Sequence, residues 1–216
     1  MIEPKNLTTH YAAKSSYGGL LLDGVTGTGK STILAILSEI LGASPGWRRT
    51  GIFPEEQTYG DFWDELQANP ESPDEYKTRL LAKVVTEVEQ ARAVDSDYHF
   101  ILERAQYSLY AALPDWRLYA SFDERLSRFN PIAILLDISD EALKERSVNR
   151  NDRPWARDQL IQLHGNESSA IKSLRGTQDR RKEALEFSKI PYRIIDTTSG
   201  KWDVHAAEIK AILMGT

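Results

Sequence analysis

The chain has 216 residues, 41% of them hydrophobic and 27% charged, which suits one α/β domain with a buried core. It contains no cysteine, which excludes disulfides, thiolate catalysis and cysteine-held zinc, and its histidines (His10, His99, His164 and His205) lie far apart and form no metal-ligand pair at helical spacing. The formal net charge of -5 argues against a duplex nucleic-acid partner, which needs a basic face. No apolar stretch approaches the roughly 18 residues that cross a bilayer, and Met1 to Ser16 lacks the apolar core of a secretory signal. The expectation is a cytoplasmic chain, 1–216 as one domain, with no membrane or nucleic-acid partner and with a homodimer left open.

In chain order, the first strand is Gly19 to Asp23, a continuous apolar run suited to burial on both faces. After a Gly-rich turn, Ile33, Leu34, Leu37, Ile40 and Leu41 recur at helical spacing, and Gly42 closes that helix. A short second strand spans Thr50 to Phe53 and stops at Pro54. Leu80, Leu81, Val84, Val85 and Val88 mark a helix from Pro73 to Val94. The third strand is Tyr98 to Leu102. A helix over Asp115 to Phe129 follows, with Arg117, Arg125 and Arg128 facing solvent. The fourth strand is Ile132 to Ile138, the fifth Tyr192 to Ile195, and the last helix Trp202 to Leu213. Alternation of strands and helices predicts a doubly wound, parallel α/β sheet.

Between the first strand and helix, Gly24-Val25-Thr26-Gly27-Thr28-Gly29-Lys30-Ser31 fits the phosphate-binding pattern G-x-x-x-x-G-K-[ST] throughout. Its glycines let the backbone curl so that N–H groups meet phosphate oxygens. The following helix aims its positive end at the same anion. Lys30 is expected to reach the β- and γ-phosphates, and Ser31 to place its hydroxyl on Mg²⁺. Gly24, Thr26, Gly27, Thr28, Gly29 and Thr32 complete the predicted ATP-binding set.

A regulatory GTPase would carry Asn-Lys-x-Asp after a strand, and the chain has none. A motor or transporter ATPase would close a strand with Asp-Glu, whereas here the third strand ends Leu102-Glu103-Arg104-Ala105. This chain resembles the P-loop nucleoside and nucleotide kinases, especially the thymidylate-kinase-like and deoxynucleoside-kinase-like groups. The resemblance rests on the cradle, on Leu102-Glu103-Arg104-Ala105, on Asn130 to Ile138 followed by Glu141 to Arg153, and on Ile190 to Asp196. It implies a P-loop NTPase fold, a five-stranded parallel sheet with helices on both faces, and an arginine-bearing LID over about 140–160.

By that resemblance Arg146 flanks the adenine, while Arg150 and Arg153 approach the phosphates. Arg146 and Arg150 are four apart and predicted to share a helix face. Glu103, at a strand's carboxyl end, is placed to hold the Mg²⁺ shell, and Arg104 to fix the acceptor. The resemblance also puts a general base where Glu55 and Glu56 stand. Two candidates occur there, Pro54 before them departs from the family pattern, and a solvated turn explains them equally. Among the aromatics Phe62, Trp63, Tyr107, Tyr110, Trp116 and Tyr119, Trp63 and Tyr107 are taken as acceptor contacts, with core packing the competing explanation.

The implied activity is ATP- and Mg²⁺-dependent phosphoryl transfer to a small molecule, a nucleoside or nucleoside monophosphate first. An antibiotic or specialised-metabolite phosphotransferase, or a non-catalytic nucleotide-binding regulatory module, is the alternative.

Overall fold

The computed structural model describes residues 16–58, 73–149 and 154–216. Its centre is a parallel sheet of β1 (Gly19–Asp23), β2 (Thr50–Phe53), β3 (His99–Glu103), β4 (Pro131–Asp137) and β5 (Tyr192–Asp196), in the order β2-β3-β1-β4-β5. The run Leu20-Leu21-Leu22 shows why a central strand needs apolar residues at every position. Successive side chains leave opposite faces. Leu20 and Leu22 join one core, with Ile101, Ile132, Ile134 and Leu136, whereas Leu21 joins the other, with Phe100, Leu102, Ala133 and Leu135.

Helices cover both faces. On the first lie α1 (Lys30–Gly42), through Ile33, Leu37 and Leu41, and the last helix, Trp202–Met214, through Ala206, Ile209 and Leu213. On the second lie α3 (Pro73–Val94), α4 (Gln106–Ala112) and α5 (Ala120–Ser127), after a short α2 (Glu55–Thr58) that follows β2. Beyond β4 come α6 (Asp140–Leu143), one π-turn (Lys144–Val148), α7 (Pro154–His164) and α8 (Glu167–Phe187). The last helix is α9. Among the described residues no helix is long and apolar enough to cross a membrane.

Three local expectations change. The stretch Asp115 to Phe129 is not one helix: the Asp115 carboxylate accepts from the Arg117 N–H and starts a separate 3₁₀ turn, Trp116–Leu118, before α5. Arg125 is also not free in solvent, because it pairs with Glu89 at 2.7 Å. In the LID region the chain winds wider than an α-helix, with the Asn149 N–H donating to the Lys144 carbonyl, so Arg146 sits in a π-turn. Trp63, Phe62, Arg150 and Arg153 lie outside the described residues.

Candidate nucleotide-binding site

Parallel register sets the site. Leu22 lies level with Glu103, and Asp23 with Leu135, so the cradle leaves β1 beside the carboxyl end of β3. Gly27 and Gly29 have φ of 87° and 85°, left-handed values that favour glycine. Space imposes a second limit at Gly29, where an added Cβ would stand 2.3 Å from the Trp202 ring. Gly29→Ala is therefore expected to strain the loop and push Trp202 away. Nucleotide affinity should fall by about tenfold or more in an equilibrium titration, given the roughly 1–2 kcal/mol cost of that backbone alone.

Inside the curl, Lys30 is buried and its Nζ donates to the carbonyls of Gly24 (2.8 Å) and Val25 (3.1 Å). Burial, and then the nearby Arg104 charge, lower its ammonium from 10.5 to about 7. The Thr28 hydroxyl donates to the Val25 carbonyl at 2.8 Å and braces the same turn. Ser31 and Thr32 are exposed at the start of α1. A loop of left-handed glycines closed around a buried amine fits a polyphosphate, the anion for which backbone N–H groups and a helix amino end are suited.

Residues that the sequence reading missed hold this cradle from behind. Asp23 and Arg181 form an ion pair at 2.8 Å, with side chains 2% and 3% exposed. The Ser108 hydroxyl donates to the Asp23 carboxylate at 2.9 Å, and Arg181 Nη2 donates to Ser108 at 3.1 Å. The Gly24 N–H donates to Asp23 Oδ1 at 2.7 Å, so the network reaches the loop backbone. Gln178 bridges alongside. Its Oε1 accepts from the Val25 N–H (3.1 Å), and its Nε2 donates to the Leu136 carbonyl (2.9 Å). The acidic residue before a Gly-rich loop was a readable signal. Its partners on α4 and α8 were not.

At the mouth, the Ser31 hydroxyl donates to Glu103 Oε1 at 3.3 Å. Burial pushes the Glu103 carboxyl above its ordinary value, with Lys30 pulling the other way. A hydroxyl and a carboxylate are the hard oxygen donors that Mg²⁺ takes, one or two from protein and the rest from phosphates and water. Among the described residues no group of three or more His, Cys, Asp or Glu could hold a metal on its own. Arg104 follows in a left-handed conformation (φ 56°), uncommon outside glycine and asparagine, and its Nε lies 2.8 Å from Glu55 Oε2. Glu55 and Glu56 open α2, and the Thr58 hydroxyl at its end donates to the Glu103 carbonyl. Lys30, Ser31, Glu103, Arg104 and Glu55 thus gather at one end of the sheet.

The π-turn seals the other wall. The Ser147 hydroxyl donates to the Thr26 carbonyl at 2.7 Å. Arg146 donates to the carbonyls of Thr197 (2.8 Å) and Thr198 (2.5 Å), with its guanidinium 5.0 Å from the Trp202 ring centroid. Gly200 leaves room for that guanidinium, since a Cβ there would be 3.0 Å from Nη2. Tyr107 is placed differently from the acceptor contact expected of it. It is buried in the core, with its hydroxyl on Ser188 at 3.0 Å and its ring stacked with Trp116.

Several solved structures share this fold. A shikimate kinase from Acinetobacter baumannii, solved with shikimate, is 18% identical with a TM-score of 0.54, covering 93% of this chain and 94% of that one. Thymidylate kinase from Candida albicans is 20% identical with a TM-score of 0.56, covering 91% of each chain. The YorR protein from Bacillus subtilis, solved with phosphorylated GDP, is 16% identical with a TM-score of 0.53, covering 89% of this chain and 93% of that one. No curated protein sequence matches the chain. The AAA domain profile matches residues 20–172, from β1 through the cradle, β3, β4 and the π-turn into α8. With a phosphate cradle at the head of a five-stranded parallel sheet, this chain belongs to the AAA domain family and has the fold of the P-loop small-molecule kinases.

Proposed function

We propose that the chain transfers the γ-phosphoryl group of Mg-ATP to a small-molecule acceptor, a nucleoside or nucleoside monophosphate first among candidates. The observation that carries this reading is the adjacency of two half-sites. The cradle with Lys30 and Ser31 stands beside a carboxylate–arginine pair, Glu55 with Arg104, and Glu103 lies between them. A binding module needs the first half and has no use for the second.

Ser31 and Glu103 would hold Mg²⁺, which would supply positive charge to the transferring group. Lys30 leaves its loop carbonyls and moves onto the phosphate oxygens as negative charge grows there. Glu55, held by Arg104, orients the accepting group and, for a hydroxyl, receives its proton. The accepting oxygen bonds to the γ-phosphorus, the bond from that phosphorus to the β-bridging oxygen breaks, and ADP leaves with the electron pair. Arg146 and Trp202 wall the base end of the donor pocket, and Arg150 and Arg153 of the LID are proposed to reach the phosphates. The test is ADP release from Mg-ATP over a panel of nucleosides, nucleoside monophosphates and amine-bearing metabolites, with products identified by mass. A phosphorylated product supports the proposal, and tight ATP binding with no product across the panel supports a regulatory module instead.

Lys30 gives a pH-dependent expectation. Its folded value, about 7, lies below its ordinary 10.5. Between those values the unfolded chain therefore binds one proton more, and the nucleotide-free protein gains stability as pH rises through that window. Phosphate oxygens favour the ammonium, so nucleotide binding at about pH 8.5 should take up a proton. Calorimetric binding enthalpy should then change with the ionisation enthalpy of the buffer. An enthalpy independent of buffer contradicts this.

A further inference from the structure

Two successive residues at the start of the cradle are turned the same way. The Gly24 N–H donates to Asp23 Oδ1 (2.7 Å) and the Val25 N–H to Gln178 Oε1 (3.1 Å). Both of their carbonyls accept from Lys30 Nζ, at 2.8 and 3.1 Å. A trans peptide is planar, so its N–H and C=O point opposite ways, and no cis bond occurs among the described residues. Holding the Val25 N–H from outside the curl therefore aims the Gly24 carbonyl, on the same peptide, inward at Lys30.

Gln178 has no solvent access, and both ends of its carboxamide meet backbone: Oε1 the cradle, and Nε2 the Leu136 carbonyl of β4 at 2.9 Å. A Cβ added to Gly24 would stand 2.8 Å from that same Leu136 oxygen, so this strap joins two stretches of chain in close approach. Val25 is fixed at its side chain too, buried with Ile138 and Leu143 against Ile171 and Leu174 of α8. At this level α8 is itself pinned, with Arg175 Nη2 donating to the Ile138 carbonyl at 2.6 Å.

Resting on the phosphotransferase reading above, we propose that Gln178 is a positioning residue for phosphoryl transfer. It holds the Gly24–Val25 peptide with its carbonyl inward, so that Lys30 waits in the curl and the polyphosphate meets an ordered loop. The Val25 N–H is then a fixture of the fold, and the N–H groups that take the phosphates come from further along the cradle. Without the carboxamide this peptide can turn either way and must be ordered when the nucleotide binds, which lowers affinity.

Amide hydrogen exchange on the whole chain, first without nucleotide and then with Mg²⁺ and the β,γ-imido analogue of ATP, tests this in the wild type. The Val25 N–H should be protected in both states, whereas the N–H groups of Gly27, Gly29 and Lys30 should gain protection only with the analogue. A Val25 N–H that exchanges freely until the analogue binds overturns the proposal. Calorimetric titrations with Mg-ATP and with magnesium tripolyphosphate follow, each well below the melting temperature of the protein used. Gln178→Met should bind both about tenfold more weakly than wild type, by the same factor because the cradle meets only the phosphates. At about pH 6 Gln178→Glu, whose protonated carboxyl offers the same acceptor and donor, should recover most of that loss, and by about pH 8.5 it should no longer do so. A residue that only stabilises the fold would lower the melting temperature and leave these affinities unchanged, and that result overturns the proposal. Failure of the wild type to bind either ligand strikes the phosphotransferase reading itself, on which the nucleotide-free exchange of Val25 does not depend.

Discussion

Lys30→Ala is expected to lower phosphoryl transfer by about 10²–10³-fold, the usual loss when one preorganised positive group is taken from a transferring centre. The amine is poised for this. It is enclosed by the curl of Gly24 to Gly29, and among the described residues its hydrogen bonds go to the neutral carbonyls of Gly24 and Val25. Trading two carbonyls for phosphate oxygens is favourable for a cation, and a low-dielectric pocket strengthens the exchange. The fold should survive, because the substitution removes a desolvated amine and leaves two acceptors unpaired, a cost of about 1–3 kcal/mol. Steady-state transfer rates, with circular dichroism as the folding control, check it. A variant within about threefold of the wild-type rate would sink the role given to Lys30.

Arg181→Met carries the largest expected loss of stability. Arg181 and Asp23 face each other at 2.8 Å with almost no solvent access, so removing the guanidinium leaves a buried carboxylate that, among the described residues, keeps Ser108 and the Gly24 N–H as donors. Breaking a buried pair from one side costs about 3–5 kcal/mol. For a chain of this size that lowers the melting temperature by roughly 10 °C. The double variant Asp23→Asn with Arg181→Met should regain part of the loss, because the stranded charge is gone. Thermal melts of the singles and the double decide it. Strictly additive losses would show that the pair does not act as a unit.

The sheet and the cradle were legible because each obeys a local rule. Leu20-Leu21-Leu22 is apolar on both faces, and the glycine spacing before Lys30 has few uses besides phosphate. Helix α8, between the LID and β5, is hidden from the sequence for a physical reason. The inward stripe of α8 includes Gln178 and Arg181 among Ala170, Ala184 and Leu185, so a helix buried partly through polar groups shows no apolar period. Yet α8 holds the cradle, through Gln178 on Val25 and Arg181 on Asp23. The family resemblance marks Arg146, but its anchors, the carbonyls of Thr197 and Thr198, are backbone atoms some fifty positions away that no side-chain pattern encodes. Trp202 was read only as the start of a helix. Its packing on Gly29 is a tertiary contact.

On the proposed reading, Gly24 to Ser31 bind a nucleotide by its phosphates. Calorimetric titration of the whole chain with Mg-ATP and Mg-GTP, in wild type and Lys30→Ala, tests this most directly. The cradle predicts saturable binding of at least one triphosphate to the wild type, weakened by about tenfold or more in Lys30→Ala. Absence of binding by both nucleotides, or affinities unchanged by the substitution, would contradict it.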